Sequence, residues 1–315
     1  MREKWKPTAE SVWKEYEKGL AFKSQIGLFD TVRVNENFFI GRQWEGVASN
    51  GLPTPVFNFL KRVVLFTVAS LASNSVKLQA SPLREKEASP RIRALIEAVN
   101  TEFARIFEQN DVLSLIREMM RNAAVDGDGC LYTYWDPELD SGDLVKGGIV
   151  TEVIENTRVF FGNVNDRRVE KQPYILISRR EMAETLRERA REMGCPDWEA
   201  IRPDADDSGS RAAQLADDKV TVLIRLWRNR ETKTIWACET VKGTMLRAPW
   251  DTGLRRYPVT WLCWDYVPDC YHGQAMITGL IPNQIFINKL YAMSMISLMT
   301  TAYPKVVYDR TRIAK

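Results

Sequence analysis

Hydrophobic positions recur at helical spacing over residues 8–26, where Val12, Trp13, Tyr16, Leu20 and Phe22 are separated by charged and polar residues. Thr8 stands where a side-chain cap is needed and Gly27 where a helix ends. The rhythm is lost over Asn35–Trp44, an aromatic-rich stretch around Gly41, and over the turn-forming residues 51–55. It returns as a strongly apolar run over 56–73 that starts with Asn58, Lys61 and Arg62 and reads as a buried helix. Residues 76–80 (VKLQA) alternate as a short strand does. A charged loop at 82–90 precedes two amphipathic helices, 91–110 and 112–125, broken and capped at Asn110-Asp111.

Asp126-Gly127-Asp128-Gly129 then turns the chain into a strand over 130–135. From there to residue 265 the period is mostly two, and 149–155, 159–162, 173–178, 220–227, 234–239 and 259–264 read as strands. A charged helix at 179–193, expected to face solvent, and a polar insertion at 197–218 interrupt them. The last long segment, Pro282–Thr301, carries a single charge, Lys289, and reads as one helix with Pro282 in its first turn. Tyr303-Pro304 stops it, and Lys305–Tyr308 resumes as extended chain. Helices, then antiparallel strands, then one long helix make the fold class α+β.

A helix as apolar as 282–301 has to be covered. A bilayer is crossed by roughly 20 apolar residues, but Gln284, Asn288, Lys289, Ser294, Ser297 and Thr301 put several polar groups at membrane depth, which is costly. The polar positions are read as one narrow stripe with Tyr291 between them, the rest of the circumference being covered by protein.

Composition adds limits rather than a function. The 315 residues suffice for one large or two ordinary domains, and the formal charge of +3 is too small to mark a nucleic-acid binder. Five widely spaced cysteines without a C-x-x-C pair point to reduced intracellular thiols and away from a disulfide scaffold or zinc site. The N-terminus is too polar for a signal peptide. His272 is the single histidine, so a triad or a histidine metal site would depend on that one residue.

Phosphate loops of the G-x-x-x-x-G-K-[ST] or G-x-G-x-x-G type are missing, as is a G-x-S-x-G elbow. The carboxylates at Asp126/Asp128, Asp136/Glu138 and Asp204/Asp206/Asp207 read as solvated turn residues, with a catalytic pair as the alternative. Trp261 and Trp264 read as one aromatic face for core or subunit packing, with a platform for bases as the alternative. No catalytic, cofactor or metal residue is assigned. Residues of interest are therefore the polar stripe and a basic run after the helix, Lys305, Arg310, Arg312 and Lys315, suited to phosphate.

Several segments together resemble the portal protein of tailed bacteriophages, in that family's order. They are Asn37–Trp44 with Pro53-Thr54-Pro55 and Asn58, then Ala123–Trp135, then Arg158–Gln172. Tyr271-His272-Gly273, Pro282-Asn283-Gln284, Asn288-Lys289 and Tyr303-Pro304-Lys305 follow. The resemblance implies a homo-oligomeric ring of about twelve copies at one capsid vertex. Double-stranded DNA would pass through it without sequence readout, and no cofactor is implied. Terminase, capsid or scaffold proteins, and head-completion or tail proteins are the implied partners, in the virion and earlier in the host cytoplasm.

It divides the chain into an N-terminal helical arm (1–30), an α+β wing (31–270), a stem helix (271–303) and the start of a clip (304–315). In that scheme Gln284, Asn288, Lys289, Ser294, Ser297 and Thr301 face the tunnel, and Lys305, Arg310, Arg312 and Lys315 lie at the clip. Family members continue past this point with the rest of the clip, a second stem helix and a crown. An isolated chain is therefore expected to aggregate through the 282–301 helix. Rival readings are a nucleic-acid-processing enzyme using the turn carboxylates, and a membrane or scaffold protein anchored by the 282–301 helix.

Overall fold

The computed structural model describes residues 7–73, 76–82, 89–139, 146–205, 218–302 and 311. Within them the fold is α+β, with antiparallel sheets and a long helix near the C-terminus. Helix α1 (Ala9–Gln25) starts with a full capping box between Thr8 and Ser11. Gly27, in the left-handed conformation, separates it from α2 (Leu28–Ile40). The helix α2 was not expected from the sequence. Its inward residues Asn35, Asn37, Phe38 and Phe39 mix amide and aromatic groups, so the apolar period is masked. The boundary at 30/31 falls inside it.

Helix α3 (Phe59–Leu71) is capped by Asn58, whose side chain accepts from the Lys61 N–H. It is not the buried helix expected: only Leu60, Val64 and Val68 are covered. The stretch 76–80 forms no ladder. It runs extended beside α4 (Pro90–Gln109), where the Asn100 amide takes both the N–H and the C=O of Ala80. Helix α5 (Val112–Asp126) ends at Gly127 and leads into β1 (Asp128–Asp136).

Strands β1, β2 (Gly148–Ile154) and β8 (Val259–Cys263) make a three-stranded sheet in the order β2-β1-β8. The second sheet runs β3-β4-β5-β6-β7, with β3 Val159–Phe161, β4 Tyr174–Met182, β5 Lys219–Arg228, β6 Ile235–Val241 and β7 Thr244–Asp251. Strand β7 was missed, because Arg247, Ala248 and Pro249 break its alternation. Residues 179–182, expected to be helical, extend β4, and α6 (Ala183–Glu192) is not wholly solvent-facing. It buries Ala183, Leu186 and Ala190 on the second sheet beside Val220 and Val222.

Alternation along the strands builds two cores from one sheet. Ile175, Ile177, Ile224 and Leu226 face the three-stranded sheet, whereas Leu176, Leu223 and Cys238 face Val12 and Tyr16 of α1. A third core is helical: Phe38 and Phe39 of α2, Leu60, Val64 and Val68 of α3, and Ala124 and Val125 of α5 close on Ile277. Trp261 packs in the sheet core and Trp264 in the helical one, so they do not share a face. Positions three apart on an extended chain point to opposite sides.

The final helix, α7 (Met276–Thr301), begins six residues before Pro282, which is interior rather than in the first turn. Burial of Ile277 in the helical core sets that earlier start. With 26 residues it is roughly 39 Å long.

Candidate assembly surface and the buried joint beneath it

The first half of α7 is anchored by amides. Gln284 Nε2 donates to Phe57 O at 2.6 Å and to Asn288 Oδ1 at 3.0 Å, and Asn288 Nδ2 donates to Gln43 Oε1 at 2.7 Å. Gln43 Nε2 in turn donates to Phe38 O, and Asn35 Nδ2 donates to Val125 O and to the Thr278 hydroxyl. Each amide is fixed in orientation by a carbonyl at one end of the chain of bonds. Gln284 and Asn288 are buried, so they are taken out of the tunnel-facing set.

Helix geometry explains the correction. The six-residue step from Asn288 to Ser294, at about 100° per residue, turns the helix by about 240° beyond whole turns. Ser294, Ser297 and Thr301 therefore lie on another face, and all three are exposed, while Lys289 is half-buried between the two faces. The clip candidates Lys305, Arg310, Arg312 and Lys315 lie outside the described residues. Replacing Asn288 by Ala leaves Gln43 Oε1 buried without its donor. The expected cost is about 1–3 kcal/mol of stability, read as a lower urea midpoint.

The second half of α7 is bare. From Met293 to Thr301 every side chain is exposed, with Leu298 and Met299 each 67% accessible, and Phe286 is equally accessible about two turns before Met293. On α3, Phe66 is 75% accessible. At roughly 100 Å² of apolar surface per large side chain, α7 alone leaves several hundred Å² uncovered. A monomer's largest apolar patch is about 300–600 Å² and often functional. Among the described residues no helix is long and apolar enough to cross a membrane.

Below the start of α7 lies a buried joint. Asp128, at 0% exposure, accepts from the Gly273 N–H at 2.7 Å, and its other oxygen is 2.7 Å from His272 Nδ1. A carboxylate only accepts, so Nδ1 carries the proton. Burial pulls the imidazole below its usual 6.5, against the pull of Asp128, and leaves it neutral at pH 7. Its Nε2 is buried without a partner, under the rings of Tyr271 and Trp261.

Lys23 of α1 reaches the same place, donating to Asn156 O at 2.6 Å and Val159 O at 2.7 Å and lying 3.8 Å from the centre of the Phe160 ring. Burial holds its amine well below 10.5, with Asp128 opposing. Gly127 and Gly273 are required where their backbones cross: a Cβ on Gly127 would meet Gly273 O at 2.6 Å, and Gly127 has φ +100°.

Asp126 and Asp128 are therefore not solvated turn residues. Asp126 is nearly covered, with Arg121 at 3.9 Å and Glu36 sharing that guanidinium at 2.6 Å. Asp204 is also paired, with Arg180. Asp136 and Glu138 are at or near the surface, and Asp206 and Asp207 lie outside the described residues.

The His272–Asp128 pair has the chemistry of a general base, but its free nitrogen is sealed. The buried thiols Cys130 and Cys238 are pushed up to about 12 by desolvation, which makes them poor nucleophiles. Among the described residues no three His, Cys, Asp or Glu side chains gather as a metal site.

Sequence reading singled out neither Lys23 nor Asn35, and took in Gln43 only as part of the Asn37–Trp44 segment. A lysine on the apolar side of an otherwise amphipathic helix was the available signal for the first; Asn35 had none. No protein-family profile matches the chain, and no curated protein is significantly similar to it.

Proposed function

We propose that this chain is a subunit of a portal ring, through which double-stranded DNA enters a phage capsid during packaging and leaves it on ejection. The observation that carries the reading is α7: its first half is bonded into the body and its second half is long, apolar and exposed. Such a helix is completed by neighbouring copies around a closed ring. The segments that resemble the portal family also meet in space. Gln43 of the first bonds Asn288 of the Asn288-Lys289 segment, and Asp128 of the second holds His272-Gly273.

In this reading the tunnel face of α7 is Ser294, Ser297 and Thr301, with Lys289 at its margin. Hydroxyls on a nearly uncharged wall do not grip phosphates or read bases, which suits passage of DNA of any sequence. Lys305, Arg310, Arg312 and Lys315 are the proposed clip-side contacts. Terminase during packaging, capsid or scaffold proteins, and head-completion or tail proteins afterwards are the proposed partners. The chain acts in the virion and beforehand in the host cytoplasm, with no catalytic role.

Light scattering on the purified chain, with negative-stain images of the same sample, tests this. The expected result is self-association through α7, with closed rings of about twelve copies and a central hole among the assemblies. A monodisperse monomer, or a chain that floats with liposomes and never forms rings, overturns it.

A further inference from the structure

Charge is close to balanced over the whole chain, with 44 Lys and Arg against 41 Asp and Glu, but it is not evenly placed. At one end of the five-stranded sheet Arg228 closes β5 opposite Ile235, and Asp251 closes β7 opposite Trp236. The turns that leave this end span residues 228–234 and 251–257. They hold Arg228, Arg230, Lys233, Arg255 and Arg256 against Glu231 and Asp251. Two short turns therefore carry a net +3, as much as the entire chain.

Backbone and side-chain bonds join the two turns into one surface. The Ile235 N–H donates to Leu254 O at 2.7 Å, and the Thr252 N–H donates to Ile235 O at 3.0 Å. Asp251 accepts from the Thr234 hydroxyl and from the Gly253 N–H, each at 2.9 Å, so neutral donors occupy both of its oxygens. Arg228 pairs with Glu170 and lies over the buried Tyr257 ring. Arg230, Lys233, Arg255 and Arg256 are exposed and pair with no carboxylate among the described residues. Lys233 holds φ +60°, a conformation that suits glycine or asparagine better than lysine.

The chemistry of this surface narrows the partner to phosphate. Three of the four unpaired cations are arginines, whose planar fork takes two phosphate oxygens at once. A protein partner would be held by an apolar centre as well, yet Leu254 is the only exposed large apolar side chain on the two turns. A single strand would need exposed rings on which its bases stack. Here Tyr257 is buried, and Trp236 is half-buried with its indole N–H donated to the Thr232 hydroxyl.

Independently of the portal reading, we propose that these two turns are a phosphate-contact surface for duplex DNA, blind to sequence and separate from α7. Helix α7 is seated in the helical core, whereas the turns belong to the five-stranded sheet. Rigid, unpaired cations contact the backbone and leave the base edges unread.

Fluorescence anisotropy of short labelled DNA duplexes with the full chain tests this, using two unrelated sequences across a salt series. Equal affinity for both is expected, with log Kd rising against log salt at a slope of about 3–4. Arg255→Gln combined with Arg256→Gln should weaken binding at low salt at least about tenfold and lower that slope by about 2. Arg230→Gln combined with Lys233→Asn should do the same. All four side chains are exposed, so circular dichroism and the urea midpoint should match the parent. If one pair does not fold, the other decides.

No binding, a folded pair that binds like the parent, or a preference for one sequence overturns the proposal. Equal competition by polyglutamate overturns it too and assigns the turns to an acidic protein, and tighter binding of a single strand is equally fatal. Ring assembly of the variants should equal the parent's, so failure of this surface and failure of the portal reading are seen separately.

Discussion

Asp128→Ala is expected to lower the unfolding free energy by about 3–5 kcal/mol, at about 1–3 kcal/mol for each buried donor left without its acceptor. The carboxylate is fully buried and accepts from His272 and from the Gly273 N–H. Its loss leaves that N–H and the imidazole without acceptors and Lys23 without the nearest compensating charge. Asp128→Asn should lose less, about 2 kcal/mol, because its carbonyl still serves Gly273 and the imidazole can shift its proton to Nε2.

Urea unfolding of both variants measures the difference. If the alanine variant is too poorly folded to titrate, the asparagine variant alone decides. The coupling to Lys23 is a further check: Lys23→Met combined with Asp128→Asn should cost at least about 1 kcal/mol less than the two single losses added. Full additivity would mean that the lysine and the carboxylate do not act as a unit.

Asp126→Asn is expected to act in the opposite direction, and only at neutral to alkaline pH. Burial, reinforced by Glu36 and only partly offset by Arg121, raises the Asp126 carboxyl from 3.8 to about 8. A folded-state value above the unfolded one means that the folded chain holds the proton longer. The stabilisation from that proton is complete below about pH 4 and is lost as pH rises through about 8. Asparagine never ionises, so its advantage over the parent should grow by about 2–4 kcal/mol between pH 5 and pH 8.5.

His272 runs the other way. Its folded value is lowered, so stability is gained as pH rises through about 6.5. The parent's own profile is therefore flattened, and the variant-minus-parent difference is the informative quantity. Urea midpoints at the two pH values give it. An equal difference at both would show that Asp126 is ionised throughout.

These two carboxylates show where sequence reasoning stops. Asp126-Gly127-Asp128-Gly129 has the composition of a solvated turn, and its backbone is a turn, with Gly127 ending α5 at positive φ. What buries Asp128 is the approach of His272 and Gly273, 144 and 145 residues later in the chain. Local composition carries no record of a contact at that separation. Lys23 is a similar case: on a helix, a lysine ordinarily keeps its head in water. Only the assembled sheet offers it two carbonyls and a ring.

The amphipathic helix α1 with its Thr8 cap, the strands of the two sheets apart from β7, and the α+β class follow from periods of 3.6 and 2 together with cap and turn chemistry. Those are short-range forces written into neighbouring residues. The apolar character of α7 is of the same kind. Which side of α7 is buried is not, because both of its polar faces have similar residues and only packing distinguishes them. Gln284 and Asn288 are inside because Phe57 O and Gln43 meet them there. Ser294, Ser297 and Thr301 are outside because they lie on a different side of the helix from Gln284 and Asn288 and are exposed. Tertiary structure alone decided that division, since a buried amide depends on a partner brought from more than two hundred residues away.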